Sequence, residues 1–178
     1  MTRSILLALI ATALPGSLPA PAASPAPSSV ATSRELWDGV MKNITAAAEQ
    51  MSEANYPYRP VGTVRTFGQL IGHLAGSQDL ICGSALGEKT GEEADVEKST
   101  TTKAALLAAL KASTEHCAKA YAMSDADAAK MHSLFGADRT ALWALMQNAV
   151  HDGEHYGNIV TYMRMLGMVP PSSQPAAR

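Results

Sequence analysis

Apolar residues recur at helical spacing in four stretches of this chain, and nowhere does a run alternate with the two-residue period of a strand. Thr32-Ser33-Arg34-Glu35 reads as a capping box, in which the Thr32 hydroxyl accepts from the Glu35 amide while Glu35 reaches back. Leu36, Val40, Ile44, Ala47 and Met51 then follow on one face to about Glu53, and Pro57 and Pro60 force a loop. A second box, Thr66-Phe67-Gly68-Gln69, opens a stretch with Leu70, Leu74, Gln78, Ile81 and Ala85 on one face, ending near Gly87. Residues 89–101 are polar and acidic without apolar period, which predicts an exposed connection. Leu106, Leu110, Cys117 and Tyr121 mark a third helix, and residues 124–136 form a polar connection with room for one short turn. Asp138 is placed to cap the last and longest helix, carrying Leu142, Leu145, Ala149, Asp152, Tyr156, Ile159, Met163 and Leu166. Gly167 and Pro170-Pro171 stop it.

Four amphipathic helices, each needing the others to bury its stripe, predict an all-α fold, a four-helix bundle. Composition agrees. Apolar residues make up 47% of the 178, but aromatics only 5%, too few to fill a β-sandwich. The length suits one domain, no internal repeat is visible, and the uneven connections leave the order of the helices open. Lys and Arg number 14 against 16 Asp and Glu, with no basic cluster, so the electrostatic footprint of a nucleic-acid binder is missing.

The first residues read differently. Met1-Thr2-Arg3 followed by the apolar run Ser4 to Leu14 has the form of a secretory signal peptide, too short for a membrane span and interrupted by Pro15 and Pro19. Ala20-Pro21-Ala22 offers a cleavage site after Ala22. The expected organisation is a signal peptide over 1–22, a disordered leader over 23–31, the bundle over 32–173 and a disordered tail over 174–178. The corresponding localisation is periplasmic or secreted, an oxidising setting in which two cysteines can pair.

His151 and His155 stand four residues apart on the last helix, so their imidazoles share a face and are close enough to share one metal ion. His73, beside Leu70 and Leu74 on the inward stripe of the second helix, is the candidate third ligand. Three core-facing histidines are more simply explained by a shared cation than by three separate burials, each costly without a partner. Three neutral imidazoles leave such an ion its full charge and an open position, which suits Lewis-acid chemistry on water or a thiolate. Asp152 and Glu154 are candidates for fixing a ligand tautomer or acting as a base, although either also reads as structural or solvated. Tyr156 and Asn158 read equally well as pocket lining or as packing and surface. His151-Asp152-Gly153-Glu154-His155 also fits the inverted zinc-protease pattern, but no helix follows to donate a further ligand and no edge strand is predicted to hold a peptide. A di-iron carboxylate centre is excluded because the paired Glu-x-x-His motifs are missing. His116 and His132 are expected at the surface, and Trp37, Trp143 and the methionines in packing.

Phe67-Gly68-Gln69-Leu70-Ile71-Gly72-His73-Leu74-Ala75, the string from His151 to Arg164, and Gly167-Met168-Val169-Pro170-Pro171-Ser172-Ser173 together resemble the exported branch of the DinB-like superfamily, over roughly Ser33 to Ser173. The resemblance implies a DinB/YfiT-like four-helix bundle holding one divalent metal ion, Zn, Ni or Fe, through His73, His151 and His155. It also implies a metal-dependent thiol S-transferase or hydrolase with a small-molecule substrate or thiol, and a homodimer. A non-catalytic metal- or ligand-binding bundle of the cell envelope is the alternative. Cys82 lies on the inner side of the second helix and Cys117 on the third helix's stripe. The two can face each other if these helices are antiparallel neighbours, and export together with the recurrence of cysteines at comparable places in the exported branch favours a disulfide over two buried thiols.

Overall fold

The computed structural model describes residues 27–175, so the expected signal peptide lies outside the described residues. Four long helices build the domain: α1 (Ser29–Gln50), α2 (Phe67–Ala85), α4 (Lys103–Ala120) and α6 (Ala141–Met165). Two short helices, α3 (Asp95–Ser99) and α5 (Asp125–Ala128), lie in the connections before and after α4. A hairpin of β1 (Met131–Leu134) and β2 (Ala137–Thr140) leads into α6. No described helix is long and apolar enough to cross a membrane.

Helix α2 occupies the centre. It packs against α4 on one side and α6 on the other, while α1 lies along α6 and touches α4. Among its residues only Gln69, Asp79 and Leu80 escape burial, as expected of a helix covered on all sides. The predicted capping box is present, with Thr66 Oγ1 accepting from the Gln69 amide and Gln69 Oε1 accepting from the Thr66 amide. Trp37 of α1 stacks on Tyr121 at 4.5 Å, and the Tyr121 hydroxyl donates to the Leu145 carbonyl, tying three helices together. A disulfide joins Cys82 of α2 to Cys117 of α4. In the chain-entropy model, closing a loop of this size stabilises the fold by roughly 3–4 kcal/mol.

Several expectations need correction. Helix α1 starts at Ser29, inside the stretch expected as leader, and its cap is Ser28 rather than Thr32. The cause is tertiary: Asp125 of α5 accepts from the Ser28 hydroxyl and from the Ser29 and Val30 amides. The inward face of α1 is accordingly set by Ser33, Trp37, Met41, Ile44 and Ala48, and Leu36 turns outward, 68% exposed. Residues 89–101 contain α3, with Glu93 and Glu97 half-buried rather than solvated. Residues 124–136 hold α5 and β1, so strands are present after all, turning through Phe135 and Gly136, both at positive φ. This is the backbone that a tight two-residue hairpin demands. Asp138 falls within β2, and Thr140 caps α6. Trp143 is 37% exposed, with the Arg139 guanidinium over its ring, instead of filling the core. Of the methionines, Met41, Met51 and Met163 are buried, while Met131, Met146 and Met165 are exposed. At the other end, Gln174 donates to Gln50 and to the Val169 carbonyl, so the first residue of the expected tail is held against the bundle.

Candidate metal centre

His73 projects from the middle of α2, and His151 and His155 project one turn apart from α6, across the seam where these helices pack. Their three Nε2 atoms form a triangle with every edge 3.1 Å. A triangle cannot alternate donor and acceptor, so some edge must oppose two N–H groups or two lone pairs whichever tautomers are chosen. A cation at the centre removes that conflict. Nitrogens each about 2.0–2.1 Å from one ion lie about 2.9–3.4 Å apart at coordination angles between square and tetrahedral, and the observed edge falls in that interval. Among the described residues this trio is the group of His, Cys, Asp or Glu whose ligand atoms converge closely enough to hold one ion.

The electrostatics favour the neutral, ligating form. Burial, with the charges of Arg65 and His155 adding to it, lowers the His73 pKa from 6.5 to about 4. Burial and the neighbouring His151 bring His155 to about 4 as well. Behind His151 lies Asp152, fully buried, its Oδ1 at 3.7 Å from His151 Nδ1. At that distance they are not hydrogen-bonded, and neither atom has a hydrogen-bond partner. Burial pushes the Asp152 carboxyl upward, opposed by His151, Trp37 and Asn148, and Asn148 Nδ2 donates to Asp152 Oδ2 at 3.2 Å. The pair of orphaned atoms faces in the direction that would leave an Nδ1–H on His151 and its Nε2 lone pair toward the triangle.

Two carboxylates that the sequence did not single out reach the site from the connection before α4. Glu93 Oε1 lies 3.6 Å from His73 Nε2 and 3.8 Å from His151 Nε2, and accepts from Ser77 Oγ at 2.6 Å. Glu97 Oε2 lies 3.8 Å from His73 Nδ1 and pairs with Arg65. Their delivery depends on Gly72 and Gly76. A Cβ on Gly72 would come within 2.9 Å of the Glu97 Cα, and one on Gly76 within 2.1 Å of the Glu93 carbonyl oxygen. Two glycines one turn apart in an otherwise covered helix were the available signal for a close backbone approach.

The other sequence candidates are dispersed. Glu154 is exposed. The Tyr156 hydroxyl donates to Ser172 Oγ and accepts from the Ser172 amide, which ties α6 to the segment after it. Asn158 approaches the back of the His155 ring, 3.4 Å from Nδ1, and lines a cleft of about 560 Å³ that reaches His155. His132 rests beside Gly87, and His116 is half-buried between Asp79 and Glu88.

A family model for the DinB superfamily matches residues 7–159. Among solved structures, a DinB-like protein from Bacillus cereus superposes with a TM-score of 0.68 at 15% identity, covering 78% of this chain and 93% of that one. A DinB-like protein from Bacillus subtilis, YjoA, gives 0.64 at 22% identity over 82% and 99% of the two chains. YfiT from Bacillus subtilis, described as a probable metal-dependent hydrolase with an unusual four-helix bundle topology, gives 0.61 at 18% identity over 84% and 94%. At these identities the likeness establishes the fold. No curated protein matches the chain.

Proposed function

The chain belongs to the DinB superfamily, and we propose that His73, His151 and His155 hold one divalent metal ion, Zn, Ni or Fe, for a reaction on a small molecule. The observation that carries this reading is the closed triangle of ring nitrogens with 3.1 Å edges. Bound there, the ion supplies Lewis-acid chemistry, either polarising an acceptor or stabilising a thiolate. Thiol S-transfer and hydrolysis are the two reaction types it serves. Asp152 holds His151 in its ligating tautomer, and Glu93, anchored by Ser77 on the Nε2 side of the trio, is the group placed to take a proton from what enters. The cleft beside His155 favours an enzyme over a sealed, purely structural metal site, because a sealed site would have no approach for a reactant. The inverted zinc-protease reading loses ground: Glu154 faces solvent, and the strands among the described residues form one small hairpin.

We also read the protein as exported and as a homodimer. Export is supported by the leader pattern of the sequence and by the Cys82–Cys117 disulfide. Metal analysis of protein purified from its native compartment is expected to find one ion per chain. Replacing His73, His151 or His155 by alanine should remove most of it, whereas His116→Ala and His132→Ala should leave it in place. Full metal retention in a His73→Ala, His155→Ala double variant overturns the assignment.

A further inference from the structure

The cleft beside His155 has one strongly basic side chain in its wall, Arg65. Its backbone is fixed by α6, since the Tyr162 hydroxyl donates to the Arg65 carbonyl at 2.8 Å. Its side chain is fixed by Glu97, whose two oxygens accept from Nε at 3.1 and 3.0 Å. The two partners differ in exposure: Glu97 is 14% exposed beneath and Arg65 40% exposed above, so an entering molecule meets the guanidinium. Only the Nε–H is used by Glu97, and the Nη atoms donate to no group among the described residues. A planar fork already held in place is the donor arrangement that carboxylates accept. Val61, Val64 and Leu70 make the cleft's apolar wall, and its volume of about 560 Å³ suits a small molecule.

We infer that Arg65 is the anchor for a carboxylate on the substrate, so that the site takes small organic acids: the carboxylate lies on the free Nη edge, a short apolar body lies against Val61, Val64 and Leu70, and the reacting end reaches His155, the member of the trio that lines the cleft. This rests on the metal-centre reading given above. A monocarboxylate fits better than a phosphate dianion, because Glu97 already offsets the single guanidinium and would repel a second negative charge.

The test uses the full mature protein loaded with Co(II), in which thiolate coordination is read from near-ultraviolet charge-transfer absorption. The probes are 3-mercaptopropionate, 2-mercaptoethanol and cysteamine, which present a negative, a neutral and a positive tail. Wild type should bind 3-mercaptopropionate about tenfold more tightly than 2-mercaptoethanol, with cysteamine weakest. Arg65→Gln should abolish that preference with Co(II) content and 2-mercaptoethanol affinity retained, and Arg65→Lys should keep part of it. Equal affinities in wild type, or an Arg65→Gln variant that weakens all three thiols alike, overturn the proposal. If no thiol gives a band, thiol chemistry at the metal fails by itself, and calorimetry with propionate decides on Arg65. Propionate binding lost in Arg65→Gln supports the anchor; binding that is absent in wild type or equal in both overturns it.

Discussion

His116 carries a carboxylate on each ring nitrogen, Asp79 at 3.0 Å from Nδ1 and Glu88 at 2.8 Å from Nε2, and only an imidazolium donates to both. Partial burial lowers its pKa, but the two carboxylates outweigh that and the net shift is upward from 6.5. A histidine whose folded pKa is raised contributes stability that is fully present below the unfolded value and is lost as pH rises through the folded one. Urea midpoints measured across that window should therefore fall with rising pH in wild type and fall less in His116→Gln. Both carboxylates are more than half exposed, so the difference is small, about 0.2–1 kcal/mol. The sequence put His116 at the surface because it is off the apolar stripe, and its partners, 28 and 37 residues away, leave no local trace. The three histidines of the candidate centre were legible for the opposite reason: helical period alone aligns His151 with His155 and sets His73 among inward residues.

At the scale of elements, the segment carrying Glu93 and Glu97 was the hardest to read. Helix α3 has five residues and none of them is buried, so no hydrophobic period announces it. Its position is set by the notch in α2 at Gly72 and Gly76, by the Ser77–Glu93 hydrogen bond and by the Arg65–Glu97 pair. Gly76→Ala tests the notch. The new methyl group would sit 2.1 Å from a backbone carbonyl oxygen, so the connection has to move, and overpacking of this kind costs about 1–3 kcal/mol, set against the gain of up to about 1 kcal/mol in helix propensity that alanine brings here as well. Gly153→Ala is the control, because a Cβ there meets nothing within 4 Å and gains helix propensity worth up to about 1 kcal/mol. Denaturant unfolding of the two variants should therefore shift in opposite directions. Two equally stable proteins would show that the α2 notch imposes no constraint on the connection. The β1–β2 hairpin was missed for a related reason: its strands have four residues each, and Leu134 is the one member that is buried.

Over the whole molecule, the four-helix architecture was legible because each long helix places a recurrent apolar stripe in one common core, while the order of neighbours, with α2 between α4 and α6, depends on tertiary packing. Among the described residues one face is left uncovered. Helices α1 and α6 border a groove of about 530 Å³, where Leu36, Met146 and Val150 stand 68%, 56% and 65% exposed, with Pro27, Leu142 and Ala149 beside them and Ser29, Thr32 and Ser33 as the polar part of the lining. Of the alanines of α1, Ala47 and Ala48 are buried in the core, Ala46 is half-buried and Ala31 is exposed. In a twofold dimer the same patch serves both partners, so Leu36 and Val150 of one copy would cover the groove of the other and each such contact would occur twice, once in each direction. Sedimentation at micromolar concentration should accordingly return a dimer. A Leu36→Glu, Val150→Glu double variant places four like charges in that contact and should sediment as a monomer with unchanged helical content, because both side chains point away from the core. A double variant that stays dimeric moves the interface off α1 and α6, and a monomeric wild type overturns the dimer itself.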